Sequence, residues 1–184
     1  EYNAIEKYLK CSDLHEDFGF SVKDIAEMMT EKERTIKEWL ELKDLMDDYL
    51  DYYGYTGIYT RLEKREGQFV DLNRYLKKYK NKTSSSDVKW PFKEKDVSDF
   101  QAISFDYIRA RYEGKQFRTI GQTSKSGSLF QYKDIWNEFV NNHRKKVEDI
   151  TDEEPTVDEI LSESPDGDLT NLLQTRDEEW IGQV

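Results

Sequence analysis

The chain has 184 residues, of which 36% are hydrophobic, 36% charged and 14% aromatic, and its net charge is −11. That length suits one ordinary domain or a small domain with appendages, and the aromatics can supply a core because each buries a large apolar area. No apolar run approaches the roughly 18 residues of a membrane helix, residues 1–20 lack the apolar stretch of a signal peptide, and a single cysteine, Cys11, excludes an internal disulfide. The first residue is Glu1 rather than Met, which reads as a piece of a longer protein. Lone Cys11 suits a reducing compartment, and in a cytoplasmic protein the sequon Asn81-Lys82-Thr83 is a chance match.

From Tyr2 to Lys10, helical spacing puts Ile5, Tyr8 and Leu9 on one side, and the pattern runs on through Leu14 toward Phe18, with Cys11-Ser12 as a point of interruption. Gly19 marks a break. Ser21 opens the next helix as an N-cap, with Asp24 three residues on and Ile25, Ala26 and Met29 as its buried stripe. Thr30 repeats the start signal with Glu33 three residues later, so a short helix, a tight turn and a second helix follow one another. The second helix runs from about Glu31, anchored by Ile36, Trp39, Leu40 and Leu42. A break is expected near Leu42, then a further helix over Lys43 to Tyr53 that ends at Gly54. Tyr55 to Tyr59 reads as loop. Gln68 to Lys80 is a strong amphipathic helix with Phe69, Leu72, Leu76 and Tyr79 on one face.

Asn81 to Asp87 is a polar linker, and the charged stretch after Pro91 delays structure until about Val97. Asp99 to Tyr112 fits a helix better than the strand that alternating Ile103, Phe105 and Tyr107 would also allow. Gln116 to Ile120 and Ser128 to Gln131 read as two short strands of a small hairpin. Tyr132 to His143 is a helix. From Val147 the chain is acidic, poor in apolar residues and interrupted by Pro155, Pro165 and Gly167, which reads as a largely flexible tail. The expected fold class is mainly α: a helix-turn-helix helical domain over 1–80, a linker over 81–96, a small basic α+β subdomain over 97–146, and the tail over 147–184.

The charge is unevenly placed. Residues 1–60 carry 7 Lys/Arg against 15 Asp/Glu, residues 61–146 carry 20 against 11, and residues 147–184 carry 1 against 13. A basic middle thus lies between two acidic ends, and distribution governs binding more than the total does.

The function-bearing constellation is Ser21 to Glu41. A helix-turn-helix needs a small residue where its helices cross and buried aliphatics in the second helix, which leaves polar residues exposed at that helix's start. Ala26 is the small residue, and Ile36 and Trp39 follow at offsets of ten and thirteen. Thr30 stands where a glycine is usual. The groove-facing residues would be Lys32, Glu33, Arg34, Lys37 and Glu38, with Arg34 or Lys37 on guanine edges and a glutamate accepting from cytosine. Backbone contacts would come from the basic middle: Lys77, Lys78, Lys80 and Lys82 near one helix end, Arg109, Arg111, Lys115, Arg118 and Lys125 around the hairpin, and Arg144 to Lys146 after the last helix. The tyrosines at 49, 52, 53, 55 and 59 fill a core or seam more readily than they stack on single strands.

Enzyme chemistry finds no support: there is no phosphate-binding Gly loop, no Ser/His/Asp pattern and no metal-ligand spacing. His15 and His143 are too far apart, and Asp152-Glu153-Glu154 and Asp166-Gly167-Asp168 lack the spacing of a Ca²⁺ loop. No cofactor or metal is expected.

SVKDIAEMMTEKERTIKEWLELKDLMDDYL, preceded by EYNAIEKYLK and FGF, resembles the central DNA-binding region of the ParB partition family over roughly residues 2–50. DYYGYTGIYTRLEKREGQFVDLN and FDYIRARYEGKQFRTIG are similar to a plasmid- or phage-borne branch. The resemblance implies an upstream nucleotide-binding domain, recognition of a specific double-stranded DNA site, homodimerisation and, in part of the family, a partner ATPase. The expected location is cytoplasmic and nucleoid-associated, and the lack of a long apolar run leaves no membrane partner expected. The other reading is a non-enzymatic protein-interaction module built on the helical scaffold and acidic tail.

Overall fold

The computed structural model describes residues 3–81, 88, 90–110, 120 and 129–148. Among these the regular secondary structure is helical, with no strand: α1 (Ala4–Ser12), α2 (Val22–Met29), α3 (Glu33–Tyr52), α4 (Glu66–Asn81), α5 (Glu94–Arg109) and α6 (Lys133–Val147). None of the described helices is long and apolar enough to cross a membrane. The chain divides into two compact units, Glu1–Asn73 and Arg74–Val184, with the division inside α4.

In the first unit, α1 opens on a reciprocal cap. The Asn3 side chain accepts from the Glu6 N–H at 2.9 Å and the Glu6 carboxylate from the Asn3 N–H at 3.1 Å. Cys11-Ser12 does not interrupt it: a π-helical turn over Asp13–Asp17 continues the coil, closed by the Phe18 N–H on the Asp13 carbonyl at 3.2 Å. Gly19, at φ 71°, then turns the chain in a conformation that costs other residues a Cβ clash.

Two expectations fail in α3. Thr30 does not start it; Lys32 is the extended N-cap and helical geometry begins at Glu33. Nor is there a break near Leu42, because Leu42, Leu45, Met46 and Tyr49 extend a buried stripe at helical spacing with no Gly or Pro before Tyr52. The Tyr49 ring meets Phe69 of α4 edge-on at 5.1 Å, and Asn73 donates to the Glu41 carboxylate at 3.2 Å. Between α3 and α4, a 3-10 turn over Tyr59–Leu62 precedes Arg65, which is 2% exposed. Its guanidinium donates to the carbonyls of Arg61 at 3.2 Å and Glu63 at 3.3 Å, so the buried charge is hydrogen-bonded.

The second unit has an aromatic core centred on Phe130. Its ring lies 4.4 Å from Tyr79, 5.3 Å from Phe92 and Phe100 and 5.0 Å from Trp136, and its carbonyl accepts from Trp90 Nε1 at 2.8 Å. α5 starts earlier than its sequence pattern suggests, since the Asp96 carboxylate accepts from the Lys93 N–H at 2.8 Å and Glu94 and Asp96 suit the positive end of the helix dipole. Residues 99–109 are therefore helix, not strand. The strand expected over Ser128–Gln131 is replaced by a 3-10 turn, Leu129–Gln131, whose three side chains are all buried without alternation. Of the partner strand only Ile120 is described, and it is buried; the rest, with residues 82–87 of the linker and the tail from 149, lies outside the described residues. α6 follows Tyr132 as expected, and His143 Nε2 pairs with Asp106 Oδ2 at 2.8 Å.

Candidate nucleic-acid interface

The candidate interface is built on a small core of Cys11, Ile25, Ala26 and Ile36, flanked by Leu14, Val22, Met29, Trp39 and Leu40. These side chains join α1, the π-helical turn, α2 and α3 in one apolar cluster, with α3 packed against both α1 and α2. Fully burying Ile25 and Ile36, both 0% exposed, contributes about 1.5–3 kcal/mol each. Tyr8 of α1 meets Trp39 of α3 at 5.9 Å between ring centroids, and Lys7 Nζ lies 6.0 Å from the Trp39 ring. Cys11 Sγ lies 3.3 Å from Met29 Sδ. Burial, then the charge of Glu31 in the turn, pushes the Cys11 thiol up to about 11. Burial, then Glu66 and Glu38, pushes the Tyr8 phenol up to about 12.

Ser21 Oγ accepts from the Asp24 N–H at 3.1 Å and starts α2. At the other end Thr30 sits at φ 54°, ψ 47°, in the left-handed region. Its N–H reaches the Glu27 carbonyl at 3.3 Å, and the Glu31 N–H reaches the Ala26 carbonyl at 2.9 Å. These two bonds form a Schellman closure, which satisfies the last carbonyls of α2 and reverses the chain within three residues. Lys32 then returns to extended backbone, and α3 begins. Thr30 thus does the conformational work of the usual glycine while bearing a β-branched side chain.

Buried Ile36 and half-buried Trp39 and Leu40 set the inner face of α3. Lys32, Glu33, Arg34, Lys37 and Glu38 consequently fall on its exposed side, close to its N-terminus. None of the three cations Lys32, Arg34 and Lys37 is committed to an ion pair or hydrogen bond with another described residue. Lys23, exposed in the first turn of α2, is a further cation beyond those expected from the sequence. The signal that finds it is its place just after the Ser21 cap and off the Val22, Ile25, Ala26 and Met29 stripe. Farther along α3 the surface turns acidic: burial, then the neighbouring Glu16, pushes the Asp44 carboxyl above its ordinary value, and Asp47 and Asp48 add to the effect.

The remaining expected contacts fall in the other unit. Lys77 is exposed and Lys78 half-buried near the end of α4, and Arg109 is half-buried in the last turn of α5. Lys82, Arg111, Lys115, Arg118 and Lys125 lie outside the described residues. The structure therefore gathers Lys32, Arg34 and Lys37 at one helix start and leaves Lys77, Lys78 and Arg109 on two other helices. Of Tyr49, Tyr52, Tyr53, Tyr55 and Tyr59, Tyr52 is the most exposed, at 56%, with its ring edge-on to Tyr53 at 4.9 Å; Tyr49 is buried, and Arg61 lies over Tyr55 at 4.5 Å. The described residues contain no group of three or more His, Cys, Asp or Glu side chains able to hold a metal ion.

The arrangement of α1 to α3 defines a helix-turn-helix unit. A family model described as "Putative ATPase subunit of terminase (gpP-like)" matches residues 18–56, the stretch that holds this motif. No curated protein and no solved structure matches the chain. The terminase match overturns the ParB resemblance. Ala26, Ile36 and Trp39 are demanded by the crossing of two helices in any helix-turn-helix, so they identify the motif and do not distinguish one family that carries it from another.

Proposed function

We propose that the chain is a duplex-DNA-binding protein that docks through α2, the Thr30 turn and the start of α3, in the setting of a terminase-type assembly. The observation that carries this reading is the Schellman turn at Thr30, which fixes α3 so that Lys32, Arg34 and Lys37 stand together, uncommitted, on its exposed N-terminal side. The family match over residues 18–56 supports it independently. In the docked complex Arg34 and Lys37 read guanine edges, Glu33 or Glu38 accepts from cytosine, and Lys23 and Lys32 hold phosphates. The matched stretch contains no phosphate-binding Gly loop, so the proposed role is DNA binding and not ATP hydrolysis.

The test is fluorescence anisotropy with labelled duplex at roughly 50–100 mM salt, where phosphate contacts still hold. The double variant Arg34→Glu/Lys37→Glu should lose at least about tenfold in affinity, since each base-edge contact contributes about 1–3 kcal/mol. Equal affinity of the variant and the wild type would refute the docking face. A second reading, docking of a protein partner, draws on the acidic second half of α3 and the exposed Tyr52 and Ile58 beyond it. It predicts no salt-dependent duplex binding in the same titration.

A further inference from the structure

We infer that Met29 is an oxidation site that controls the α2–α3 turn: a peroxide converts its thioether to the sulfoxide, which unseats the end of α2, and reduction restores it. The consequence for duplex binding rests on the docking face proposed above, whereas the effect on the fold does not. The chain has three methionines, and the structure puts each in a different setting. Met28 is 50% exposed on α2, Met46 is 2% exposed on the buried face of α3, and Met29 is half-buried against the Cys11, Ile25, Ala26 and Ile36 cluster. Peroxide therefore reaches Met28 and Met29 from solvent and is shut out from Met46.

The cysteine is not the reactive sulfur. Peroxide oxidises thiolate rather than thiol, and Cys11 is 0% exposed, with burial pushing its thiol up to about 11. Its S–H instead donates to Met29 Sδ at 3.3 Å and engages one of the two sulfur lone pairs. The other lone pair attacks one oxygen of hydrogen peroxide. The O–O bond breaks, the second oxygen takes the proton from the first and leaves as water, and the sulfur keeps the first oxygen. The thioether is oxidised by two electrons and the peroxide reduced by two.

The product no longer suits its seat. Oxidation turns a flexible apolar side chain into a polar one with an acceptor oxygen. The cluster that Met29 packs against offers the side chains of Ile25, Ala26 and Ile36, which carry no donor, and a polar group held there without a partner is costly. The sulfoxide is hydrated by swinging outward, and the space beside Cys11 then loses its filling. Met29 is the last residue of α2, and the closure that positions α3 begins beside it, with the Thr30 N–H on the Glu27 carbonyl and the Glu31 N–H on the Ala26 carbonyl. Unseating Met29 loosens this closure and with it the start of α3, where Lys32, Arg34 and Lys37 stand. Met28 has no such effect, because its sulfoxide forms in solvent.

The test treats the full chain with hydrogen peroxide and follows each methionine by peptide mass spectrometry, beside circular dichroism melts and duplex anisotropy. Met28 should gain its oxygen first, without effect on either readout. The melting temperature should then fall by at least about 4 °C in step with Met29 oxidation, the order expected when a core-edge side chain leaves a unit of this size. Duplex binding should weaken in the same step, and methionine sulfoxide reductases with dithiothreitol should restore both. Met28→Leu should respond as the wild type does. Met29→Leu, which nearly conserves volume, should keep its melting temperature and affinity through the same treatment. A wild type that binds no duplex before oxidation refutes the docking face, and the melts then decide the role of Met29 by themselves. An unchanged melting temperature with Met29 fully oxidised, a Met29 that stays unoxidised while Met28 reacts completely, or an equal fall in Met29→Leu would overturn the proposal.

Discussion

Replacing Thr30 with glycine should stabilise the protein, although it removes a side chain and creates no contact. Thr30 holds φ 54° and ψ 47°, where a Cβ crowds the following carbonyl at a cost of roughly 1–2 kcal/mol. Glycine avoids that cost but gives the unfolded chain more freedom, which offsets about 0.4–1 kcal/mol. The Thr30 side chain is exposed, so little packing is lost, and both closing hydrogen bonds are made by backbone groups that glycine retains. The net gain is about 0.5–1 kcal/mol, or roughly 2–8 °C in melting temperature for a cooperative unit of this size. Thr30→Asn should fall between the two, because asparagine tolerates the left-handed region better than a β-branched residue does. Circular dichroism melts of the three proteins read the order directly. The same variants should bind duplex with unchanged affinity, since the position of α3 depends on the backbone closure. A glycine variant that melts below wild type would refute this account of the turn and mean that the threonine side chain itself contributes to it.

Ile36→Ala should destabilise by about 2–5 kcal/mol in urea titration, because Ile36 is 0% exposed where the helices cross and a cavity would remain. Alkaline pH should weaken the fold: Cys11 rises from 9.0 to about 11, so it binds more protons folded than unfolded between those values, and its contribution is complete below pH 9 and lost as pH passes the folded value. Urea midpoints should therefore fall between about pH 9 and 11, and Cys11→Ala should flatten that fall by about 1–3 kcal/mol; identical slopes in the two proteins would exclude the thiol as the cause. Removing residues 149–184, which carry 1 Lys/Arg against 12 Asp/Glu, should tighten duplex binding at low salt by removing charge that repels phosphates, and an unchanged dissociation constant would dismiss that effect.

Local spacing made the helix-turn-helix legible. Ala26 and Ile36 are buried in one cluster with Trp39 packed against it, as their offsets predict, and Ser21 behaves as the cap its type suggests. Thr30 deceives at the level of sequence because a threonine followed three residues later by Glu33 imitates a helix start. Its left-handed conformation comes from the backbone closure with Ala26 and Glu27, which propensity does not encode. The false break at Leu42 has a similar origin. The first half of α3 buries Ile36 beside Cys11 and Ile25, whereas the second packs Tyr49 against Phe69, so the apolar stripe changes partner midway and reads as two shorter helices. In the second unit, Leu129 and Phe130 look strand-like as an apolar pair among polar neighbours. The aromatic cluster around Phe130 buries them in a 3-10 turn instead, and only residues as distant as Tyr79 and Trp136 determine that.

The composition of the proposed docking face limits how it could bind. Around the α2–α3 turn the exposed cations are Lys23, Lys32, Arg34 and Lys37, and the exposed acids are Asp24, Glu27, Glu31, Glu33 and Glu38. Such a face gains little from the phosphate backbone, whose attraction supplies most sequence-independent affinity. If all four cations met phosphates, the slope of log affinity against log salt would reach about −3.6 and no steeper. A steeper measured slope therefore requires cations from outside this face, with Lys77, Lys78 and Arg109 as the described candidates. A shallower slope means that contacts to base edges provide most of the binding free energy. In that regime the acidic side chains favour discrimination: Glu33 and Glu38 repel phosphates wherever the bases in front of them offer no amino donor, so off-site binding is weakened more than binding at the cognate sequence.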